Sequence, residues 1–218
     1  MPYWLNIVLQ FSILIAAVIA YLKRKRIHKK YLPFIISVWI NLGGCIVNQI
    51  ANFFFSGNAV SSNIYFIIFC LLVLWQFRCW ELFSDRPLAY YILGGLFILV
   101  WLFDNLVLGT LFAFNPYARI INSVAIVLMS IHLFSGGLQD QSKVFWKNSK
   151  QIILVAYILF FTVKFITEFF WQYGRQLGDS FLINIIICYQ GINFFVNLLY
   201  ALATLWIPVN TRYSWLSR

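Results

Sequence analysis

A chain of 218 residues that is 62% hydrophobic, 20% aromatic and only 10% charged has too few polar groups to cover a water-facing exterior. Soluble domains carry roughly a quarter charged residues, so the composition excludes an ordinary soluble domain and points to lipid as the outer solvent. The net charge of +10 falls between apolar runs, where it acts as a topology signal and not as a nucleic-acid footprint.

The first apolar run, Tyr3–Leu22, is followed by Lys23–Lys30, KRKRIHKK, which packs six of the sixteen basic residues into eight positions. The N-terminal MPYWLNIVLQF lacks the basic n-region of a secretory signal. That order predicts an uncleaved first helix with its N-terminus outside. Six more runs follow: Leu32–Phe55, Asn63–Phe83, Leu88–Leu108, Arg119–Leu138, Ile152–Trp171 and Phe181–Ile207. Each can cross a hydrocarbon core of ~30 Å at ~1.5 Å per residue. Backbone groups in lipid must be satisfied within the segment, and no run shows the ten-residue alternation of barrel strands, so helices are predicted throughout. The expected fold is an all-α integral membrane bundle of seven transmembrane helices forming one domain over residues 1–218.

Charge bias orients it. With the first loop cytoplasmic, thirteen basic residues lie on that side, namely Lys23, Arg24, Lys25, Arg26, Lys29, Lys30, Arg78, Arg86, Lys143, Lys147, Lys150, Arg212 and Arg218. Only Arg119 and Arg175 lie on the other, and Lys164 sits inside a helix. The positive-inside rule then sets the N-terminus outside and the C-terminus in the cytoplasm. Pro33 and Pro87 open helices and Pro208 closes the last. An outer aromatic belt of Tyr3, Trp4, Trp171 and Tyr173 is expected, with Tyr31, Trp80, Trp146, Trp206 and Trp215 at the inner face. Gly43-Gly44, Gly94-Gly95 and Gly191 are read as close-packing points.

Charges within or near the spans are few: Asp104, Lys164 and Glu168, with Arg78 and Glu81 near an inner helix end. A charge in mid-bilayer costs at least ~2.5–3.5 kcal/mol, so such groups face the bundle interior and find partners. Helical rise places Lys164 about 18 Å, and Glu168 and Asp104 about 24 Å, from the cytoplasmic ends, with Gln190 about 14 Å from the outside. Lys164 and Glu168 stand at i,i+4. One reading is a polar, ligand-binding chamber in the outer half, lined by Asn48, Asn52, Asp104, Lys164, Glu168 and Gln190. The other is that Lys164 and Glu168 neutralise each other while Asp104 snorkels to the headgroups.

Two amide stripes run at helical spacing. One carries Asn41, Cys45, Asn48 and Asn52, the other Gln190, Asn193, Asn197 and Thr204. Asn41, Asn193 and Asn197 read as interhelical polar contacts, with a solute or water path as the alternative. The cysteines Cys45, Cys70, Cys79 and Cys188 read as small buried hydrophobes, and a Cys70–Cys188 bridge is geometrically conceivable. His28 and His132 are far apart, and no Cys/His/carboxylate cluster has ligand spacing, so no metal and no cofactor is expected. Hydrolase, phosphate-loop and zinc-protease motifs are absent, which argues against an enzyme. The last stretch has no lysine for a retinal Schiff base.

Four stretches, YLPFIISVWINLGG, NIYFIIFCLLVLWQF, VFWKNSKQIILVAYILFF and INFFVNLLYALATLW, resemble a family of small seven-helix membrane proteins of unknown function common in Bacteroidetes-type bacteria. The resemblance implies an inner (cytoplasmic) membrane location and partnership with signalling proteins, and it carries over no catalytic residue. Where such proteins carry a carboxylate in the second helix, this chain has Gly43-Gly44-Cys45. The expected function is a receptor-like or accessory sensor: a small-molecule ligand bound in the outer half, the bilayer around it, and a protein partner at the cytoplasmic face. Alternatives are a small-solute transporter and a structural subunit of a membrane complex. The transporter lacks a visible repeat between helices one to three and five to seven.

Overall fold

The computed structural model describes residues 3–55, 57–138, 147–174 and 178–208. The described chain is all-α, with no β-strand. Its elements are α1 (Tyr3–Phe11), α2 (Ile13–Lys23), α3 (Leu32–Phe55), α4 (Ala59–Cys79), α5 (Pro87–Leu102) running into a π-helical turn (Phe103–Leu108), α6 (Pro116–Leu138), α7 (Ser149–Tyr173) and α8 (Asp179–Trp206). Six of these, α3 through α8 with α5 extended by its π-turn, are long and apolar enough to cross a membrane. The chain is thus compatible with a multi-pass membrane protein.

The first apolar run is helical through Ser12, whose backbone stays in the helical region (φ −56, ψ −24), with stretches of nine and eleven residues on either side. The Ser12 hydroxyl donates to the Leu9 carbonyl at 2.6 Å and accepts from Asn197 Nδ2 at 2.8 Å. The bond back to the preceding turn draws the Ser12 hydroxyl onto its own helix, and the Asn197 contact ties this point to α8.

Packing closes a ring. Helix α2 lies between α3 and α8, α3 packs on α4, α4 on α6, α6 on α7, and α7 on α8. Helix α5 stands outside this ring against α4 and α6, with Phe97 its one buried residue among those described. Two ends follow from the connections. One carries the N-terminus and the turns after α3, α5 and α7. The other, the basic end, carries Lys23–Lys30, the α4–α5 turn and the starts of α3 and α7. There Lys23 Nζ donates to the carbonyls of Leu205 and Thr204, placing a cation at the negative end of the α8 dipole.

Between the ends the ring is filled by aromatics. Phe69 stacks on Phe161 at 5.7 Å, Tyr157 meets Phe77 at 6.0 Å and Tyr200 at 6.1 Å, and Tyr200 meets Phe34 at 5.5 Å. All six are essentially removed from solvent, and offset or edge contacts add to their area burial. Gly44 lets Tyr65 approach: a Cβ there would lie 2.7 Å from the Tyr65 ring. The other expected packing glycines behave differently. Gly94 faces Leu74, whereas Gly43, Gly95 and Gly191 face open space.

The α4–α5 turn holds Glu81 at φ 68. Leu82 N–H donates to the Phe77 carbonyl and Glu81 N–H to that of Arg78, the paired bonds that end a helix through a left-handed residue. Lys30 is bonded to the Glu81 carboxylate and holds it below the usual carboxylate range. A depressed carboxyl contributes stability above its unfolded value and loses it as pH falls through the folded value. An unfolding midpoint followed from pH 6 to pH 3 is therefore expected to fall less in Glu81→Gln than in the parent chain. Both side chains are exposed, so the difference is small.

Among the cysteines, Cys70 is buried and Cys188 exposed, and all four thiols are free. Trp171, Tyr173 and Trp206 are exposed as belt residues would be, but Trp80 is buried. Trp146 and Trp215, and the side chains of Tyr3 and Trp4, lie outside the described residues, as do Lys143, Arg175, Arg212 and Arg218.

Candidate functional site: a charged chamber at the N-terminal end

A cavity of about 500 Å³ opens inside the ring at the end carrying the N-terminus. Asn48, Asn52, Lys164, Glu168 and Gln190 line it, together with Asn41 and Asn193. The expected chamber residues are thus brought together, except Asp104. Asn197 lies deeper and bonds Ser12 between helices. Cys45 Sγ contacts Asn41 Oδ1 within α3, and Ser61 donates to Asn48 Oδ1 at 2.6 Å.

The charged wall has a member that hydropathy alone assigns to the outer headgroups. Arg119, only 3% exposed, sits in the first turn of α6 because that helix begins at Pro116. Its Nη1 reaches Glu168 Oε1 at 3.0 Å, and the same oxygen takes Lys164 Nζ at 2.7 Å. Arg119 Nη2 donates to Asn63 Oδ1 at 2.8 Å and Ser62 Oγ at 3.0 Å. The Asn115-Pro116 pair is the sequence signal: proline favours the first helical position, which puts Arg119 inside the helix.

Asn63 is the hub behind the guanidinium. Its Nδ2 donates to the carbonyls of Leu111 and Ala113, and its own carbonyl accepts from Trp101 Nε1 at 3.0 Å. Helix α4 begins at Ala59 rather than Asn63, so Ser62 and Asn63 are helical and point at Arg119.

Asp104 departs from the expected chamber because it has another task. It lies in the π-turn, and its Oδ2 accepts from Ala118 N–H at 2.7 Å, satisfying a donor that the first turn of α6 cannot satisfy itself. It neither lines the cavity nor snorkels to the surface, being 2% exposed. Asn105 beside it accepts from Asn115 Nδ2 at 3.0 Å, and Asn115 also donates to Thr110 O at 2.7 Å. The π-turn presents these consecutive residues inward together.

That loop permits a sharp test. A Cβ at Gly109 would collide with Asn115 Oδ1, and Asn115 is held by two hydrogen bonds. Gly109→Ala is expected to destabilise the protein by about 1–3 kcal/mol, as overpacking does, read as a lower unfolding midpoint in detergent. An unchanged midpoint would show that the loop yields.

The wall carries two cations and one anion, and it is incompletely satisfied. Arg119 Nε and Thr167 Oγ1 are buried with no hydrogen-bond partner among the described residues. Lys164 has one carboxylate partner and lies 5.4 Å from the Tyr189 ring centroid. Such a wall can take an acceptor or one negative charge. Toward the basic end the chamber is floored by Phe69 and Phe160, where the aromatic filling begins. The described residues contain no group of three or more His, Cys, Asp or Glu able to hold a metal.

No family model, curated protein or solved structure matches the chain.

Proposed function

We propose that this chain is a receptor-like or accessory sensor of a cytoplasmic membrane, binding a small anionic ligand in an outward-facing chamber and signalling through a protein partner. The observation that carries the reading is the Arg119–Glu168–Lys164 cluster on the wall of a 500 Å³ cavity closed toward the basic end. A buried ion cluster is weak evidence for stability by itself, whereas one facing a chamber with spare donors is suited to recognition. The basic residues of Lys23–Lys30, Arg78, Arg86, Lys147 and Lys150 at the opposite end favour a cytoplasmic position for that end, which turns the chamber outward.

The aromatic filling below the chamber favours binding over translocation, since a solute path would have to cross it. The inner turns are too short to hold an effector domain, which favours an effector supplied by another chain. Purification from native membranes in mild detergent is expected to retain a stoichiometric protein partner. Recovery of the chain alone, together with solute uptake by the pure chain in liposomes, would replace this reading with a transporter.

A further inference from the structure

A second cavity, about 670 Å³, runs between α3 and α4 on the outer face of the ring. Its lining is almost wholly apolar, including Ile40, Val47, Val60, Ile64 and Ile68. Three residues, Gly44, Asn48 and Tyr65, line both this groove and the polar chamber. The partition between them is therefore the Tyr65 ring. It is seated against Gly44, where any side chain would push it away, and it stacks on Phe69 at 5.7 Å.

An apolar groove that shares the Tyr65 wall with a charged chamber has the polarity profile of an amphiphile that lies across both once that ring turns aside. We infer that the ligand is a single-chain amphiphile with one negative charge, its head in the chamber and its acyl chain in the α3–α4 groove, reached sideways from the bilayer past Tyr65. This rests on the binding role proposed above and names the ligand class.

Charge and chemistry decide the head. Arg119 and Lys164 are cations of the chamber lining and Glu168 their shared carboxylate, with Asp104 behind the wall within electrostatic reach of Arg119, so the lining takes at most one negative charge and a dianionic phosphate would overfill it. Arg119 is buried behind this wall, its Nε unpaired among the described residues, and Lys164, with its side chain 15% exposed, is the cation open to the chamber. The amides of Asn52, Gln190 and Asn193 along the chamber lining suit a head that also carries hydrogen-bonding groups, as an acylated amino acid does. The groove suits an acyl chain because its walls are apolar, with Asn48 and Ser61 its polar lining residues besides the Tyr65 hydroxyl, and Asn48 and Tyr65 also line the chamber.

The probes are N-palmitoylglycine and N-acetylglycine, which share a head and differ in the chain. Binding is measured to the full chain in phosphatidylcholine nanodiscs, by tryptophan fluorescence and by the shift in unfolding temperature. N-Palmitoylglycine is expected to bind more than tenfold tighter than N-acetylglycine, because chain burial adds to the head contacts. Val60→Trp, which fills the groove alone, is expected to remove that advantage and leave N-acetylglycine binding intact. Lys164→Met is expected to weaken both probes about tenfold, as loss of one charge-assisted hydrogen bond does. Ile64→Phe repeats the groove test if Val60→Trp misfolds. Equal affinities, or full retention of the advantage in the groove variants, would mean that the groove holds only bulk lipid; the chamber reading would survive and this inference would not. Binding of neither probe to the parent chain, or no effect of Lys164→Met on either, would remove both.

Discussion

Glu168→Leu is expected to cost the fold about 3–5 kcal/mol, the range for breaking a buried ion pair by deleting one partner. Its Oε1 is the shared acceptor of Arg119 and Lys164. Without it two cations face each other in a low-dielectric wall, and neither finds another anion on the chamber surface. Arg119 cannot swing away, because Asn63 and Ser62 hold its other nitrogen. The three single variants should therefore rank in a definite order. Arg119→Leu comes next, since it leaves Asn63 Oδ1 without that donor while Glu168 keeps Lys164. Lys164→Met costs least, because Glu168 keeps Arg119 and the lysine side chain is already 15% exposed to the chamber. The combined apolar variant, Arg119→Leu with Lys164→Met and Glu168→Leu, should recover much of the loss, as buried charge clusters replaced together often do. Reversible unfolding in mixed detergent micelles measures all four. If Lys164→Met proves as costly as Glu168→Leu, the lysine is a structural counter-ion and not a group held ready for ligand. Stability and binding then separate: the combined variant should fold and yet fail to bind N-acetylglycine.

How much of this was legible from residues alone varies by element for physical reasons. Lys164 and Glu168 share a helix face at i,i+4, a relation that needs no tertiary knowledge, and the structure pairs them. Helical rise alone puts Asn48 near the level of Glu168, Asn52 nearer the outer surface and Gln190 close to Lys164, and all three line one cavity. Arg119 was not legible as a wall residue, because hydropathy treats an arginine at the edge of an apolar run as interfacial. Its partner Asn63 lies 56 residues earlier, a contact that no local pattern encodes. Asp104 illustrates the converse. Depth put it level with Glu168, but depth does not give azimuth, and a π-turn re-aimed it onto the α6 N-terminus. The tie at Ser12 was equally hidden, since its partner is an asparagine 185 positions away. Periodicity thus reports which residues share a helix and a level, whereas the ring order that decides who meets whom comes from packing.

The second large effect lies at the other end, at Gln76. This side chain is 0% exposed on α4, the one amide in the apolar stretch LLVLWQF. Its Nε2 donates to the Lys30 carbonyl at 2.7 Å and its Oε1 accepts from Phe34 N–H at 2.8 Å. Phe34 belongs to the first turn of α3, whose N–H groups have no intrahelical partner, so a neighbouring helix supplies the cap. Gln76→Leu keeps the side-chain size close, which minimises the cavity contribution. It leaves a donor and an acceptor unpaired, at about 1–3 kcal/mol for each buried group. Gln76→Glu should be worse, because a carboxylate can accept from Phe34 but cannot donate to Lys30, and its charge is buried. Gln151 is the control: it is also buried, but its Oε1 has no hydrogen-bond partner among the described residues, so Gln151→Leu should be close to neutral. The consequence reaches the basic loop, since Gln76 is one of the ties that hold Lys23–Lys30 to the bundle, beside Lys23 on the α8 carbonyls and Lys30 on Glu81. Limited trypsin digestion should cut that loop faster in Gln76→Leu than in the parent chain, at a concentration where Gln151→Leu is cut at the parent rate. Equal cutting of all three would mean that Lys23 on the α8 carbonyls and the Lys30–Glu81 pair hold the loop without Gln76.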